Sequence, residues 1–448
     1  MNVRQACASA LIATLTATTG GAAEQPSSGL DYELRAGATY SDNIFLQPGA
    51  IAESASALAV GADLRGEQTT GRLRYNTGVE LWYYQYLDTF SGGQLFGRGV
   101  VSGSYDFVPD HFRWNAGVNF DQQRADLARP LIPGNVEDLW TLSTGPTVRG
   151  TLFGAVDTQL DAHIVQALYS GDSFDNQTVG GRLTMGRRTG PLSSLGLGAS
   201  YDDVTYLSGL ASSVLDFERR EVFVHGEMSG ARTDLSFELG YADAVSATFD
   251  DSSPLARIRL ERRMSPALTG YLGYRHEFPT SQVNQLISDP TPSGGGVVDT
   301  GLVTSSPRET WTGEAGFRFS QTRSEAQLGY YHLDEHSLIE VLGDHRLDEL
   351  RARVTRHLTP RSDGTLFVAY AKEDFTAFNQ KNNNVTAGLI YSHEFTRSVG
   401  IDARFEYRNQ NSNVDSLNYN EFNGGVFLRY SGSLLGRSVA TPRNEPVR

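Results

Sequence analysis

The chain has 448 residues, a net charge of −14, 47 glycines and a single cysteine. The acidic balance argues against a nucleic-acid partner, because a phosphate backbone demands a basic face. No run reaches the ~18 apolar residues of a membrane-spanning helix, which excludes an inner-membrane helical protein but not a membrane protein built of strands.

In chain order, Met1–Ala23 reads as a secretory signal. Arg4 supplies the positive start, Ala8–Thr18 the apolar stretch, and Gly21-Ala22-Ala23 the small residues at a cleavage site before Glu24. Cys7 lies inside this segment, so the mature chain is left without a cysteine and must stabilise itself without disulfides.

From Glu24 on, one periodicity dominates. Apolar and polar residues alternate in segments of ~10–14 residues, the mark of strands with one apolar face. The segments centre near residues 36, 62, 77, 100, 118, 144, 162, 181, 199, 221, 239, 258, 272, 314, 329, 352, 369, 388, 404 and 425. In one of them Ala256, Ile258 and Leu260 alternate with Arg257, Arg259 and Glu261. In another, Val399, Ile401, Ala403, Phe405 and Tyr407 alternate with Gly400, Asp402, Arg404, Glu406 and Arg408. A strand needs ~9–11 residues to cross a bilayer at a tilt, so each segment is long enough.

The connections alternate as well. Tight turns such as Val108-Pro109-Asp110, Gly190-Pro191 and Met264-Ser265-Pro266 are interleaved with long loops such as Asn43–Ala55, Ala125–Asp138, Leu207–Asp216 and Pro279–Arg308. Short turns on one side and long loops on the other are the signature of an outer-membrane barrel. The expectation is an all-β protein: one antiparallel transmembrane β-barrel of about 20 strands (range ~18–22), with short periplasmic turns and long extracellular loops. Residues 1–23 would be the signal peptide, 24–431 the barrel and 432–448 a periplasmic tail.

Residues opposite the apolar face point into the lumen. Those expected to contact a solute there are Arg72, Arg74, Arg257, Arg259, Arg275, Arg318, Arg351, Arg353, Arg404 and Arg408. Arg stays charged and presents a planar fork to carboxylates, so two readings stand side by side. One is a mutually neutralising lattice with Glu80, Glu238, Glu261, Glu277, Glu314, Asp402 and Glu406; the other is a polar conduit for an anionic solute or polysaccharide. Tyr83, Tyr84, Tyr86, Tyr105, Tyr169, Tyr201, Tyr206, Tyr241, Tyr330, Tyr331 and Tyr430 fall near segment ends, as interfacial girdles do; sugar stacking is the alternative.

Catalytic signatures are missing. There is no Gly-x-Ser-x-Gly elbow and no His-Glu-x-x-His, and His276-Glu277 and His393-Glu394 lack a second histidine at the needed spacing. The sequence therefore points to a non-enzyme with no metal and no cofactor. An outer-membrane hydrolase would need a Ser/His or acidic cluster at the outer rim.

The first strand ends Tyr40-Ser41-Asp42-Asn43-Ile44-Phe45-Leu46. It resembles the opening of EpsL-type β-barrel porins, an outer-membrane family associated with exopolysaccharide and exosortase (PEP-CTERM) loci. The matching positions are Tyr40, Asp42, Asn43, Ile44 and Leu46. Turn styles such as Arg263-Met264-Ser265-Pro266 and His357-Leu358-Thr359-Pro360 are also similar. The resemblance implies a Gram-negative outer-membrane location and a part in exopolysaccharide biosynthesis or export. Implied partners are outer-membrane lipid and lipopolysaccharide, an anionic polysaccharide, or components of the export machinery. The alternatives are a general diffusion porin, an outer-membrane hydrolase, and a structural or adhesin-like barrel whose lumen the 279–308 loop plugs.

Overall fold

The computed structural model describes residues 29–435 apart from 69–70, 88–91, 126–131, 133, 172–174, 208–214, 280–306 and 340–342. The expected signal peptide, 1–23, and residues 436–448 of the expected 432–448 tail lie outside the described residues. Twenty strands form one antiparallel sheet, and the sheet is closed. In chain order they are β1 (Gly29–Ser41), β2 (Ala55–Gln68), β3 (Leu73–Tyr86), β4 (Gly93–Val108), β5 (Phe112–Gln123), β6 (Glu137–Leu152), β7 (Val156–Tyr169), β8 (Asn176–Gly190), β9 (Ser193–Tyr206), β10 (Phe217–Ser229), β11 (Thr233–Ser246), β12 (Asp250–Ser265), β13 (Leu268–Glu277), β14 (Arg308–Gln321), β15 (Ser324–Ser337), β16 (His345–Thr359), β17 (Ser362–Phe375), β18 (Gln380–Glu394), β19 (Val399–Ser412) and β20 (Tyr419–Leu435). Each pairs with its neighbours in sequence, and β1 pairs with β20 from Leu30↔Leu435 to Ser41↔Asn423. That last ladder removes the free edges and satisfies every wall strand on both sides. β20 runs on to Leu435, past residue 431 where the sequence reading ends the barrel, so 432–435 belong to the wall and not to the tail.

Alternation sets the two faces. Leu34, Leu58, Val60, Val222, Leu239, Leu328, Leu366 and Phe405 stand exposed on the outer surface. Their strand neighbours Arg35, Glu221, Phe367 and Arg404 stand on the inner one. Because the side-chain period is two, the register of each pair fixes this assignment for the whole strand.

The two ends of the barrel differ. All nine connections at one end, which also holds both termini of the sheet, are two to four residues long, whereas those at the other end run from three residues (247–249) to thirty (278–307). Register shifts between strands all fall there too, beside Leu30, Asp106, Arg188, Arg263 and His357. Bulges at a rim bend and terminate strands, which suits tight turns. The long-loop end is more packed. There β15 ends at Ser337, β16 starts at His345 and β19 ends at Ser412, leaving connections of 338–344 and 413–418.

Candidate lumen site

Nine of the ten expected arginines lie on the inner face of a strand. The exception is Arg72, which sits exposed in the turn before β3. Gly71 adopts φ +85° there, a left-handed conformation that glycine takes without penalty, and strand pairing starts only at Leu73.

Five of the nine have carboxylate partners. Arg74 meets Asp106 at 3.1 Å, Arg318 meets Glu261 at 3.7 Å, and Arg351 is held by Glu349. Arg408 binds Glu406 and reaches Glu421 at 3.7 Å. Arg257 is the hub of the largest group, bonding Glu221 at 2.8 Å, Glu238 at 2.9 Å and Glu277 at 2.5 Å. Arg182 joins Glu238, while Arg219 joins Asp202 and lies 3.5 Å from Glu221. A planar guanidinium with five donors can satisfy three carboxylates at once, which a lysine cannot. Arg259, Arg275, Arg353 and Arg404 have no carboxylate within salt-bridge distance among the described residues. The lattice and the unneutralised cations therefore coexist.

Other lumen cations were not singled out from the sequence. Arg35 binds Glu33 and lies 3.6 Å from Asp402; Arg429 lies 3.2 Å from Asp402. Strand alternation would have found both, since Leu34 and Leu428 beside them are exposed outward.

The lumen is not uniform along its length. On β10–β16 the inner residues Glu221, Glu277 and Glu349 near the loops are buried, whereas Glu227, Arg259, Arg318 and Gln327 nearer the turns are exposed. Burial near the loops has an apolar cause. Val204, Tyr206, Leu215, Phe217, Phe223, Ala242, Ala244 and Leu255 form an inward-facing cluster around Phe278, which is 1% exposed. Arg219 donates to the Phe278 carbonyl at 2.8 Å, drawing the chain inward as it leaves β13. The plug expected of the 279–308 loop falls mostly on residues 280–306, outside the described residues.

A second inward element crosses the mouth. Arg124, the first residue after β5, pairs with Glu373 of β17 at 3.4 Å, and both are buried. The Arg124 guanidinium also lies 6.0 Å from the centre of the Phe375 ring.

Tyrosines divide between the faces. Tyr83, Tyr105, Tyr201, Tyr241, Tyr330 and Tyr430 are exposed outward, where a girdle belongs. Tyr84, Tyr86, Tyr169, Tyr206 and Tyr331 face inward instead. The run Trp82-Tyr83-Tyr84-Gln85-Tyr86 carries aromatics on both faces, so composition alone does not sort it.

The Asp-Asn step of the first strand ties the seam. Asp42 Oδ1 accepts from the Phe422 amide at 2.8 Å, and the Asp42 amide donates to the Phe422 carbonyl at 3.1 Å. Asn43, 1% exposed, donates to the carbonyls of Gln47 (2.7 Å) and Asn420 (2.9 Å) and accepts from the Gln47 amide (2.9 Å). Ile44 packs on Ala55, Ala57 and Tyr86. Leu46 is buried with φ 50°, while Tyr40 points outward.

One Ser/His/acid cluster lies at the loop-end rim. His276 Nε2 is 2.9 Å from both Ser253 Oγ and Glu309 Oε1. A nucleophilic triad needs the serine and the acid on different ring nitrogens. Here one nitrogen serves both, Ser253 is buried, and the imidazole is stacked on Trp311 at 4.6 Å. The arrangement is a packed hydrogen-bonded cluster without triad geometry. No group of three or more metal-ligating side chains occurs among the described residues.

No family model matches the sequence, and no curated protein does. Among solved structures, the chain is similar to the siderophore receptor PirA from Acinetobacter baumannii, with TM-score 0.48 and 11% identity over 92% of this chain and 81% of that one. PirA from Pseudomonas aeruginosa gives 0.44 and 13%, over 91% and 81%. Acinetobacter baumannii OccAB2 gives 0.37 and 11%, over 91% and 98%.

Proposed function

We propose that the chain is a porin-like barrel of the Gram-negative outer membrane that passes anionic material, with a part in exopolysaccharide biosynthesis or export. The observation that carries the membrane reading is a closed sheet whose outward positions carry a belt of exposed apolar side chains, with charged ones such as Arg220 and Arg346 toward the loop end. In water such a belt would be a very large exposed apolar patch, whereas in a bilayer it is solvated. With both sheet ends at the short-turn side, that side would face the periplasm. Lipid and lipopolysaccharide would cover the outside.

Support for an anionic cargo comes from Arg259, Arg275, Arg353 and Arg404, cations facing the lumen with no carboxylate within salt-bridge distance among the described residues. An uncompensated cation in a pore raises the local concentration of anions. The export role rests on the first-strand resemblance. A general diffusion porin is the competing reading. Planar-bilayer recording decides the first part: an anion-selective reversal potential is expected, and a cation-selective or non-conducting barrel would overturn it. Gene deletion decides the second. Loss of surface polymer with unchanged uptake of small solutes is expected; altered uptake with normal polymer favours the diffusion porin.

A further inference from the structure

We infer that the outer face of β15–β18, where it passes from the apolar belt to the loop end, seats a phosphate of an outer-leaflet glycolipid, with Lys372 as its free cation and Arg346 and Lys381 on either side. The inference rests on the reading of the barrel as an outer-membrane protein with its long loops outside, and names a lipid partner for one part of its wall.

Cations are scarce on the outer surface at this level. Among the described residues, the outward-facing cations of the loop-end half are Arg220 on β10 and Arg346, Lys372 and Lys381 on β16–β18. Lys372 and Lys381 are the only two lysines of the chain. Their outward placement follows from parity with the exposed Leu350, Tyr370 and Leu389 on the same strands. Register then groups them. Arg346 lies directly opposite Asp374, and Asp374 directly opposite Lys381. Lys372, two residues from Asp374 on β17, lies opposite Asp348 on one side and Asn383 on the other. Opposite pairs hold their Cβ atoms about 5 Å apart and diagonal ones about 7–8 Å, so cations from three adjoining strands surround one carboxylate.

The nearby carboxylates are already engaged. Asp374 binds the Lys381 ammonium at 2.9 Å. Asp348 accepts from the Tyr330 hydroxyl at 2.6 Å, lies 2.8 Å from His332 Nδ1 and 3.5 Å from Arg346 Nε. Lys372 therefore has no carboxylate within salt-bridge distance among the described residues, although Asp348 stands opposite it. Asp334, opposite Arg346 on β15, is the one carboxylate of these two rows with no cation within that distance, and it lies two strands from Lys372. Arg346 makes only its 3.5 Å contact, and its side chain is 57% exposed. An ammonium is a compact point charge and a guanidinium a fork, and both suit a phosphate.

The level is that of a headgroup. Tyr330 and Tyr370 both lie opposite Leu350, one outward position nearer the apolar belt. Their hydroxyls reach the charged rows: Tyr330 donates to Asp348, and Tyr370 donates to Asn383 at 3.2 Å. Behind them Leu328, Val368 and Leu366 are exposed. Tyrosines with the ring against apolar side chains and the hydroxyl in a polar row mark the boundary between acyl chains and headgroups. A lysine just beyond that boundary lays its stem on the apolar surface and puts its ammonium among the phosphates. Free phosphate gains nothing from the apolar belt, whereas a phosphorylated glycolipid covers the belt and the cations together.

The test is native mass spectrometry of the full chain, folded in detergent, with diphosphoryl lipid A and with the same lipid stripped of its phosphates. Folding of each variant is checked by heat-modifiable gel mobility. The wild type is expected to retain diphosphoryl lipid A at least about tenfold more tightly than the stripped lipid. Lys372→Gln is expected to reduce that preference, and Lys372→Gln with Arg346→Gln to remove it, with binding of the stripped lipid unchanged. Lys372→Arg keeps the preference. Arg220→Gln, which removes an outward cation already held by Glu218, is expected to leave it intact. Equal retention of the two lipids, a preference that survives the double variant, or the same loss in Arg220→Gln overturns the site. Calorimetry with inorganic phosphate checks the source: binding as tight as that of lipid A overturns the lipid assignment. Insertion into phosphatidylcholine vesicles separates the two levels. A barrel that inserts but ignores the phosphates sinks this site alone, and one that does not insert sinks the membrane reading.

Discussion

Arg124 and Glu373 are 3.4 Å apart, although β18–β20 and β1–β4 separate them along the shorter arc of the wall. Two side chains span far less than an open barrel of this strand number, so the root of the β5–β6 loop and the β17 wall meet across the lumen. The contact divides the mouth. On the side of the shorter arc lie Tyr84 and Arg404; on the other lie Arg353 and the apolar cluster around Phe278.

If this pair narrows the path, neutralising either partner widens it. Arg124→Gln and Glu373→Gln are each expected to raise single-channel conductance roughly twofold, the scale of relieving one constriction. The swapped double variant, Arg124→Glu with Glu373→Arg, is expected to return conductance to the wild-type value. Identical conductance in all four proteins would show that the contact lies off the path.

The paired and unpaired lumen arginines are expected to behave differently. Arg404→Gln removes a cation that no carboxylate holds, so the reversal potential in a salt gradient shifts toward cations while stability is kept. Arg351→Gln strands Glu349, which is 1% exposed. Leaving a buried carboxylate without its charged hydrogen-bond partner costs about 1–3 kcal/mol, so urea unfolding in lipid vesicles moves to lower denaturant. Equal stability of the two variants would contradict this division.

Arg257→Gln removes one guanidinium from three carboxylates together. A loss of about 3–5 kcal/mol is expected, since Glu221 and Glu277 are buried and are left facing Glu238 without their shared partner. Arg257→Lys is expected to recover only part, because an ammonium lacks the three-way fork. Full recovery by lysine would mean that charge alone matters. The readout is again urea unfolding.

Asn43→Ala tests the seam. It removes three hydrogen bonds to backbone groups, including the one across to Asn420 of β20, and a cost of about 1–3 kcal/mol is expected. Tyr40→Ala, on the lipid-facing side of the same strand, is expected to leave the seam intact. The measurement is amide exchange of the Ser41–Asn423 end of the β1–β20 ladder, which should accelerate only in Asn43→Ala.

Much of the wall was legible in the sequence. Each of the twenty predicted segment centres falls inside a strand, and the Ala256-to-Glu261 alternation assigns both faces of β12 correctly. The reason is local: a period of two needs only neighbouring residues to declare itself. Arg72 was misassigned because alternation carries no information about where a turn ends. Tyr84, Tyr86, Tyr169, Tyr206 and Tyr331 were grouped with the girdle because nearness to a strand end, unlike parity, does not say which face a ring occupies.

By itself, then, the sequence determined an all-β wall of twenty crossing segments with arginines on its inner face. Only the tertiary structure decided which of those arginines are neutralised, because each pairing depends on the register of neighbouring strands. The same holds for the β1–β20 seam, where Asp42 and Phe422 lie 380 residues apart, and for Arg124 and Glu373, 249 apart. No local pattern encodes such contacts; they exist once the sheet closes on itself and brings its first strand to its last.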